Sequence, residues 1–137
     1  MPSPTTLEQI STWAATTSPE WPATSVTPAI HAIKDTVACM VSGASDAAAE
    51  GVRRTVHTWP AVDGGATIVG SGGRAPAPFA AFANGTAAHA QDFDDNFLAA
   101  LTHASAVLVP ALLALGEETG ASGAEIIDAY LVGLECH

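Results

Sequence analysis

The stretch that organises this chain is a dense polar segment between apolar helices, His89-Ala90-Gln91-Asp92-Phe93-Asp94-Asp95-Asn96. After a short apolar gap it is followed by Thr102-His103-Ala104-Ser105. Three of the chain's 14 acidic residues and two of its 5 histidines fall in these two runs. Loops and helix ends held by a rigid scaffold carry most protein chemistry, and clustered ionisable groups mark sites. The pattern therefore predicts a functional site rather than a solvated acidic loop.

Apolar residues recur at helical spacing on both sides of this segment, which predicts one all-α domain, a helical bundle, over residues 1–137. The stretch 66–70 is compatible with one short strand. The helix over 103–118, which Gly120 is predicted to end, is apolar on nearly every side, so we expect it to be fully buried. The other predicted helices cover 7–14, 27–43 (Thr27 as N-cap, Pro28 at the first helical position), 45–59 (capped by Ser45 or Asp46), 76–90 (started by Pro76 and Pro78), and 122 onward (Ser122–Glu125 capping box).

The composition is apolar, with 48% hydrophobic and 13% charged residues and a mean hydropathy of +0.28. Because average domains carry about 25% charged residues, we expect another chain to cover much of this surface. No apolar run reaches the roughly 20 residues that span a bilayer, and no secretory signal is recognisable. Cys39 and Cys136 lie far apart and are expected as reduced thiols, with Cys39 buried. We therefore predict a cytoplasmic protein without a membrane partner.

The net charge of −10, with only 4 lysines and arginines, argues against nucleic-acid binding, because phosphate backbones need clustered basic residues. This chain alone also has few cationic side chains with which to bind an anionic small molecule. If the substrate is a carboxylate, its cationic partners must come from elsewhere.

The three carboxylates of the polar segment cannot all share one face. In a helical turn Asp92 and Asp95 point together, whereas in an extended loop Asp92 and Asp94 do. One carboxylate near His103 would serve as base or acid if burial lifts its pKa towards neutrality. A helix start at His103 would disfavour the cationic imidazole, leaving a neutral ring that polarises a carbonyl or exchanges a proton.

Two other interpretations use the same residues. Asp92-Phe93-Asp94-Asp95 matches the DxDD general-acid pattern of protonation-initiated terpene cyclases, but those chains are larger and rich in aromatics, which make up 6% here. The carboxylates are also suitable ligands for a divalent cation. No EF-hand loop or His-x-x-x-His spacing supports this, so we predict no metal and keep a carboxylate-metal binding domain as a third hypothesis.

Several segments, in order along nearly the whole chain, resemble the MmgE/PrpD family. The run 84–95 is similar to its NG-x-x-AH-x-x-DFDD signature, and 102–105 to its T-H-P-S, with Ala104 in place of proline. Residues 109–117 resemble its P-A-x-L-A-L-A-E helix, 120–135 its G-x-SG…G-Y-E segment, and 32–37 its A-x-x-x-L-D-T-x-G helix.

The resemblance implies a large all-α domain with a smaller lid domain, acting without metal or organic cofactor on small di- and tricarboxylates. It places Asp92 and His103 in the catalytic pocket, and Asn96, Thr102, Asp95 and His89 are then the predicted substrate contacts. The segment from Asp92 to His103 is one residue longer than usual, and 97–101 replaces the usual W-H-P-x.

Family members are several times longer, and their second catalytic histidine, pocket lysines and lid lie beyond the segments matched here. Either this chain is an N-terminal piece completed by a missing C-terminal part, or it belongs to a split enzyme. We predict the second, the N-terminal subunit of a split lyase or isomerase, completed by a second chain that carries those parts, in a higher oligomer. The predicted reaction is proton abstraction beside a carboxylate, with dehydration, decarboxylation or epimerisation. The alternative is a non-catalytic subunit that stabilises or regulates a full-length relative.

Overall fold

The computed structural model describes residues 3–17, 20–59, 64–98 and 101–137. Part of the altered stretch 97–101 lies outside these ranges. The elements confirm the predicted mostly helical fold. In chain order they are α1 (Thr6–Thr16), α2 (Ala23–Gly43), α3 (Ala47–Val56), β1 (Ala66–Ile68), β2 (Gly73–Ala75), α4 (Ala77–His89), α5 (Ala104–Thr119) and α6 (Gly123–Cys136).

Helix α4 is the centre of the bundle, packed against α2, α3 and α5. Its buried positions are mostly alanine, and such small side chains allow neighbouring helices to approach closely. The closest approach is to the end of α2, where a Cβ on Gly43 would overlap the carbonyl of Ala87. This packing holds the end of α4, and with it His89, in place.

Two clusters form the core on either side of α4. One joins the hairpin to α3 and α4 through Val56, Ile68 and a set of buried alanines. The other joins α2, α5 and α6 through Met40, Val109 and Tyr130. The second cluster therefore holds the first turns of α5 against the middle of α6.

The predicted short strand is half of a two-stranded antiparallel hairpin, with Ala66 opposite Ala75. The buried Asn84 of α4 holds it, because its Nδ2 donates to the Thr67 carbonyl and its Oδ1 accepts from the Val69 amide, each at 2.9 Å. Glu117 of α5 accepts from Thr67 Oγ1 at 2.8 Å. The asparagine of the NG motif is therefore a structural residue that ties the hairpin to α4.

Most of the predicted helix ends are confirmed. Asp46 caps α3 by accepting from the Ala48 amide, and Gly120 ends α5 with a φ of 70°. Ser122 and Glu125 form the predicted capping box of α6. These signals are local, which explains why the sequence predicts them correctly.

The predicted start of the second helix is wrong. Helix α2 begins at Ala23 after Pro22, so Thr27 and Pro28 lie inside it. Trp21 packs against the second cluster and its indole N–H donates to Asp128 at 2.6 Å, which brings the chain into the helix one turn earlier. Pro28 is the sixth residue of α2, so it removes one helical hydrogen bond and its ring crowds the carbonyl of Thr24.

The predicted full burial of the helix over 103–118 is also wrong for this chain by itself. In α5, Val107 is 59% and Leu115 55% exposed. Cys39 is half-buried rather than fully buried, and both cysteines are free thiols. None of the helices in the described ranges has both the length and the apolar character to cross a bilayer.

Candidate active site

Two helix ends bring the histidines of the polar segment together. Helix α4 ends at His89, and His103 is the N-cap residue of α5, which begins at Ala104. The two imidazole centroids lie 4.4 Å apart, with the rings tilted by 57°. Because α4 and α5 pack along their length, this pairing follows from the bundle and not from the loop alone.

The carboxylate of Asp94 lies behind both rings and has no exposed side-chain surface. Its oxygens are 3.0 and 3.2 Å from His89 Nδ1. Asp94 Oδ2 is also 3.1 Å from His103 Nδ1, but this approach lacks hydrogen-bond geometry, and His103 Nδ1 has no partner among the described residues. A buried carboxylate needs hydrogen-bond partners, and His89 Nδ1 is the partner that the described residues give Asp94.

Asp92 lies on the open side of His103. Its Oδ1 is 3.7 Å from His103 Nε2, and its side chain is 78% exposed. Its φ of 55° places it in the left-handed region, which aspartate adopts more readily than most residues. The two nitrogens of His103 therefore face two carboxylates in different surroundings, one buried and one open to solvent.

Asp95 points away from the histidines, into the start of α5. Its Oδ1 accepts from the Ser105 amide at 3.1 Å and its Oδ2 from the Ser105 hydroxyl at 2.6 Å. The hydroxyl of Tyr130 lies 2.7 Å from Ser105 Oγ. Of the two neighbouring aspartates, Asp94 therefore faces the histidines and Asp95 contacts Ser105 on the other side of the loop.

The loop between the aspartates and α5 is closed by a bridge. The amide of Phe97 donates to the Thr102 carbonyl at 2.7 Å, and the Thr102 amide donates to the Phe97 carbonyl at 3.3 Å. Asn96 is exposed. The predicted substrate contacts from Asn96, Thr102, Asp95 and His89 stay predictions, since no ligand defines the reacting position.

An open groove of about 600 Å³ runs beside the histidines. Among the described residues that line it, none is lysine or arginine, and Asn96 and Asp95 do not line it. The chain's three arginines are engaged elsewhere, since Arg53 donates to the Ala44 carbonyl, Arg54 pairs with Glu50, and Arg74 pairs with Glu117. Lys34 lines a different groove. The groove is lined by Ala48, Gly85, Thr86, His89, Ala90, Leu101, Thr102, His103, Ala106 and Val107.

This arrangement suits proton transfer more than nucleophilic attack. Burial, together with the negative charges of Asp35, Asp94 and Asp95, raises the pKa of the Cys39 thiol, so it stays protonated near neutral pH. An imidazole held between a buried and an exposed carboxylate is, in contrast, a common proton-transfer arrangement.

The same four side chains have a geometry that a metal ion could use. His89, Asp92, Asp94 and His103 each offer one ligand atom, and these atoms lie within 4.8 Å of one another. Two imidazoles and two carboxylates form a reasonable donor set for zinc or a similar cation. The expectation that no metal takes part stays a prediction.

The structure brings together the two residues predicted as catalytic, Asp92 and His103, and adds three that had no predicted role. Asp94 was recognised as part of the acidic run, but nothing in the spacing shows that it is the buried member. Ser105 and Tyr130 lie on two helices 25 residues apart, so only the packing of α5 on α6 reveals their contact.

Comparisons with known proteins agree with the resemblance. Cis-aconitate decarboxylase from Mus musculus is 42% identical over 66 residues, which is 45% of this chain and 13% of that protein. Cis-aconitate decarboxylase from Homo sapiens is also 42% identical over 66 residues, 14% of its length. No solved structure matches the chain significantly. The sequence model of the MmgE/PrpD N-terminal domain matches residues 8–137, so this chain belongs to the MmgE/PrpD family.

Proposed function

We propose that this chain supplies the catalytic loop of an MmgE/PrpD-type lyase or isomerase that acts on a small carboxylate. The observation that carries the proposal is the position of His103 between the buried Asp94 and the exposed Asp92, at the edge of an open groove. The cis-aconitate decarboxylases that it resembles support a di- or tricarboxylate as substrate.

In this mechanism the His103 and Asp92 pair moves the proton. One of them takes a proton from the carbon next to a substrate carboxylate. The electron pair left on that carbon then either forms the double bond as the neighbouring carbon loses its hydroxyl group, which leaves as water with a proton from the other member of the pair, or is reprotonated on the other face. In a decarboxylation the same pair instead delivers a proton to the carbon that CO₂ has left. Positioned general acids and bases contribute about 10²–10⁴ in rate.

Asp94 orients the imidazole rather than exchanging protons with substrate. Its carboxylate lies 3.1 Å from His103 Nδ1, and this leaves His103 Nε2 on the opposite side, 3.7 Å from Asp92 Oδ1. His89, Thr102 and Asn96 are proposed to contact the substrate's polar groups, with His89 and Thr102 on the groove wall.

The proposed enzyme needs positive charge from outside this chain. A di- or tricarboxylate in the groove would meet two histidines and no lysine or arginine among the described lining residues. Large apolar side chains also surround the site: Leu101 is 89% and Phe93 74% exposed. Contiguous exposed apolar surface usually marks an interface, which supports a partner segment that brings the lysines and covers the groove. We propose that this segment is a second chain within a higher oligomer.

The test uses the assembly purified untagged from its own source, with native mass spectrometry to identify every chain in it. The assembly is incubated with a panel of small carboxylates in D₂O, and deuterium incorporation, water loss and CO₂ release are followed. His103→Gln and Asp92→Asn are each expected to lower kcat/KM by at least about 10²-fold. His31→Gln, at an exposed position on α2, is the matched control and should keep full turnover.

Two outcomes would contradict the proposal. Full turnover in both site variants, with unchanged circular dichroism, would remove Asp92 and His103 from the chemistry. Activity that is lost in EDTA and restored by one divalent cation would show that the His89, Asp92, Asp94 and His103 cluster holds a metal.

A second candidate function is a non-catalytic subunit that stabilises or regulates a full-length relative. It is favoured by Ala104 at a position where the family has proline, and by the altered stretch 97–101. In that case the site variants would leave the partner's activity unchanged, whereas charged substitutions at Leu101 and Val107, on the rim of the groove, would abolish assembly.

A further inference from the structure

We infer that Tyr130, Ser105 and Asp95 form a positioning network that sets where His103 stands, so that Asp95 is a positioning residue rather than a substrate contact. The network connects α6 to the start of α5 and to the catalytic loop. The inference deepens the proposed function, and its catalytic arm rests on that proposal.

The direction of the hydrogen bonds follows from their chemistry. An ionised Asp95 carboxylate only accepts, so the Ser105 hydroxyl must donate to it over 2.6 Å. Ser105 Oγ is then free to accept, and the Tyr130 hydroxyl donates to it over 2.7 Å. Burial raises the pKa of Tyr130, which keeps the phenol protonated and able to donate. Each member of the network therefore has one possible role.

The inner part of the network is buried, whereas Asp95 and the catalytic groups are nearer to solvent. Tyr130 and Ser105 are each 1% exposed, Asp95 is half-buried, and the side chain of His103 is 27% exposed. Hydrogen bonds that are shielded from water hold their geometry better than exposed ones, since water does not compete for the partners. This makes the network suitable for fixing a loop whose other side must remain open to substrate.

The position of Asp95 explains how the network reaches His103. As the N-cap residue of α5, His103 makes no capping hydrogen bond with its side chain. Asp95 instead accepts the free amide of Ser105, two residues further on, and so caps the helix from the loop. The cap that Asp95 provides leaves the imidazole of His103 free for the groove and for Asp94.

Asp94 and Asp95 are neighbours, so anchoring one orients the other. With Asp95 held on Ser105, the backbone turns the Asp94 carboxylate to the opposite side, where it meets His89 and His103. Loss of the Asp95 contact would therefore displace both the imidazole and the buried carboxylate behind it.

The first experiment needs no substrate. The ¹³C–¹H signals of the histidine rings are recorded for the wild type, Asp95→Asn, Tyr130→Phe and Ser122→Ala. Ser122→Ala removes a helix cap of α6 without touching the network, so it controls for general destabilisation. Tyr130→Phe removes one hydroxyl and changes no charge, so it separates geometry from electrostatics. The exposed His31 serves as an internal reference.

The expected result is that Asp95→Asn and Tyr130→Phe both move the His103 signals, while Ser122→Ala and the His31 signals stay unchanged. An effect of Asp95→Asn alone would be electrostatic and would overturn the network. Unmoved His103 signals in both variants, or equal movement in Ser122→Ala, would overturn it as well. If Asp95→Asn does not fold, the network is tested by comparing the His103 signals of Tyr130→Phe with those of Ser122→Ala.

The second experiment uses the active assembly. Asp95→Asn is expected to lower kcat by about tenfold or more with KM within about twofold, because displaced catalytic groups slow the chemical step more than they weaken binding. Ser122→Ala should keep the wild-type kcat. A raised KM with unchanged kcat would return Asp95 to the role of substrate contact. An inactive wild type would contradict the proposed function but leave the ring signals as a valid test of the network.

Discussion

Helices α5 and α6 start within twenty residues of each other, yet their first turns are capped in different ways. Helix α6 is capped by its own sequence. Ser122 Oγ accepts from the Glu125 amide, and the Glu125 carboxylate accepts from the Ser122 amide at 2.7 Å. Helix α5 is capped by Asp95, ten positions before Ser105 and on the far side of the loop. One cap is local and the other depends on the tertiary structure.

The difference shows how a helix start becomes available for chemistry. A local cap uses the side chain of the N-cap residue, as Ser122 does, and leaves nothing for a ligand. At α5 the N-cap residue is His103, and because Asp95 takes over the capping, the imidazole is free to meet Asp92 and Asp94. Because Asp95 of the loop provides the cap of α5, the helix start and the loop depend on each other.

The largest effect on stability is expected for Asp95→Asn. The variant removes the charged acceptor of a backbone amide and of a buried hydroxyl, and hydrogen bonds to charged groups contribute about 1.5–3 kcal/mol. We therefore expect a loss of about 2 kcal/mol in the free energy of unfolding, measured by urea titration. The matched control is Asp92→Asn, an exposed carboxylate in the same loop, which should change the value by less than about 0.5 kcal/mol. Equal losses in the two variants would contradict the view that Asp95 caps α5.

A smaller effect is expected for Ser122→Ala, which removes the local cap of α6. Replacing an N-cap serine by alanine typically costs about 1 kcal/mol. The same urea titration measures it, and combination with Asp95→Asn should be close to additive, since the two caps share no partner. Strong coupling between the two substitutions would contradict the view that the α6 cap is independent of the rest.

The smallest effect is the pH dependence of the local cap. The backbone amide and the hydroxyl of Ser122 hold the pKa of Glu125 below its ordinary value of 4.5. A carboxylate whose pKa is lower in the folded state stabilises the fold above its unfolded-state value, and this contribution is lost as the pH falls through the folded-state value. Glu125→Gln should therefore make the acid-side loss of stability shallower, measured by urea titration between about pH 6 and pH 3.

Glu8→Gln provides a parallel test on α1. Glu8 belongs to a capping box of the same kind with Thr5, whose amide and hydroxyl also lower its pKa. The acid slope should change in the same direction in both variants. A steeper slope in either one would contradict the assigned role of the carboxylate.

The sequence predicts the parts of this protein whose signals are short in range. The Asp46 cap, the Gly120 helix end and the Ser122–Glu125 box each depend on residues within a few positions, and all are confirmed. The family resemblance, which depends on several motifs in order, is confirmed by the match over 8–137. The failures involve contacts between distant residues: the bond from Trp21 to Asp128 moves the start of α2, and the packing of α5 leaves Val107 and Leu115 exposed.

By itself the sequence determined that helices flank an acidic loop with a histidine at each end, because hydrophobic periodicity, caps and glycines act within a turn or two of the chain. Only the tertiary structure decided the role of each carboxylate. Asp92, Asp94 and Asp95 are chemically identical and nearly adjacent, yet one is exposed, one lies buried behind two imidazoles, and one caps a helix. Their partners belong to α4, α5 and α6, and a carboxylate's role depends on which donors and how much water the packed helices leave around it.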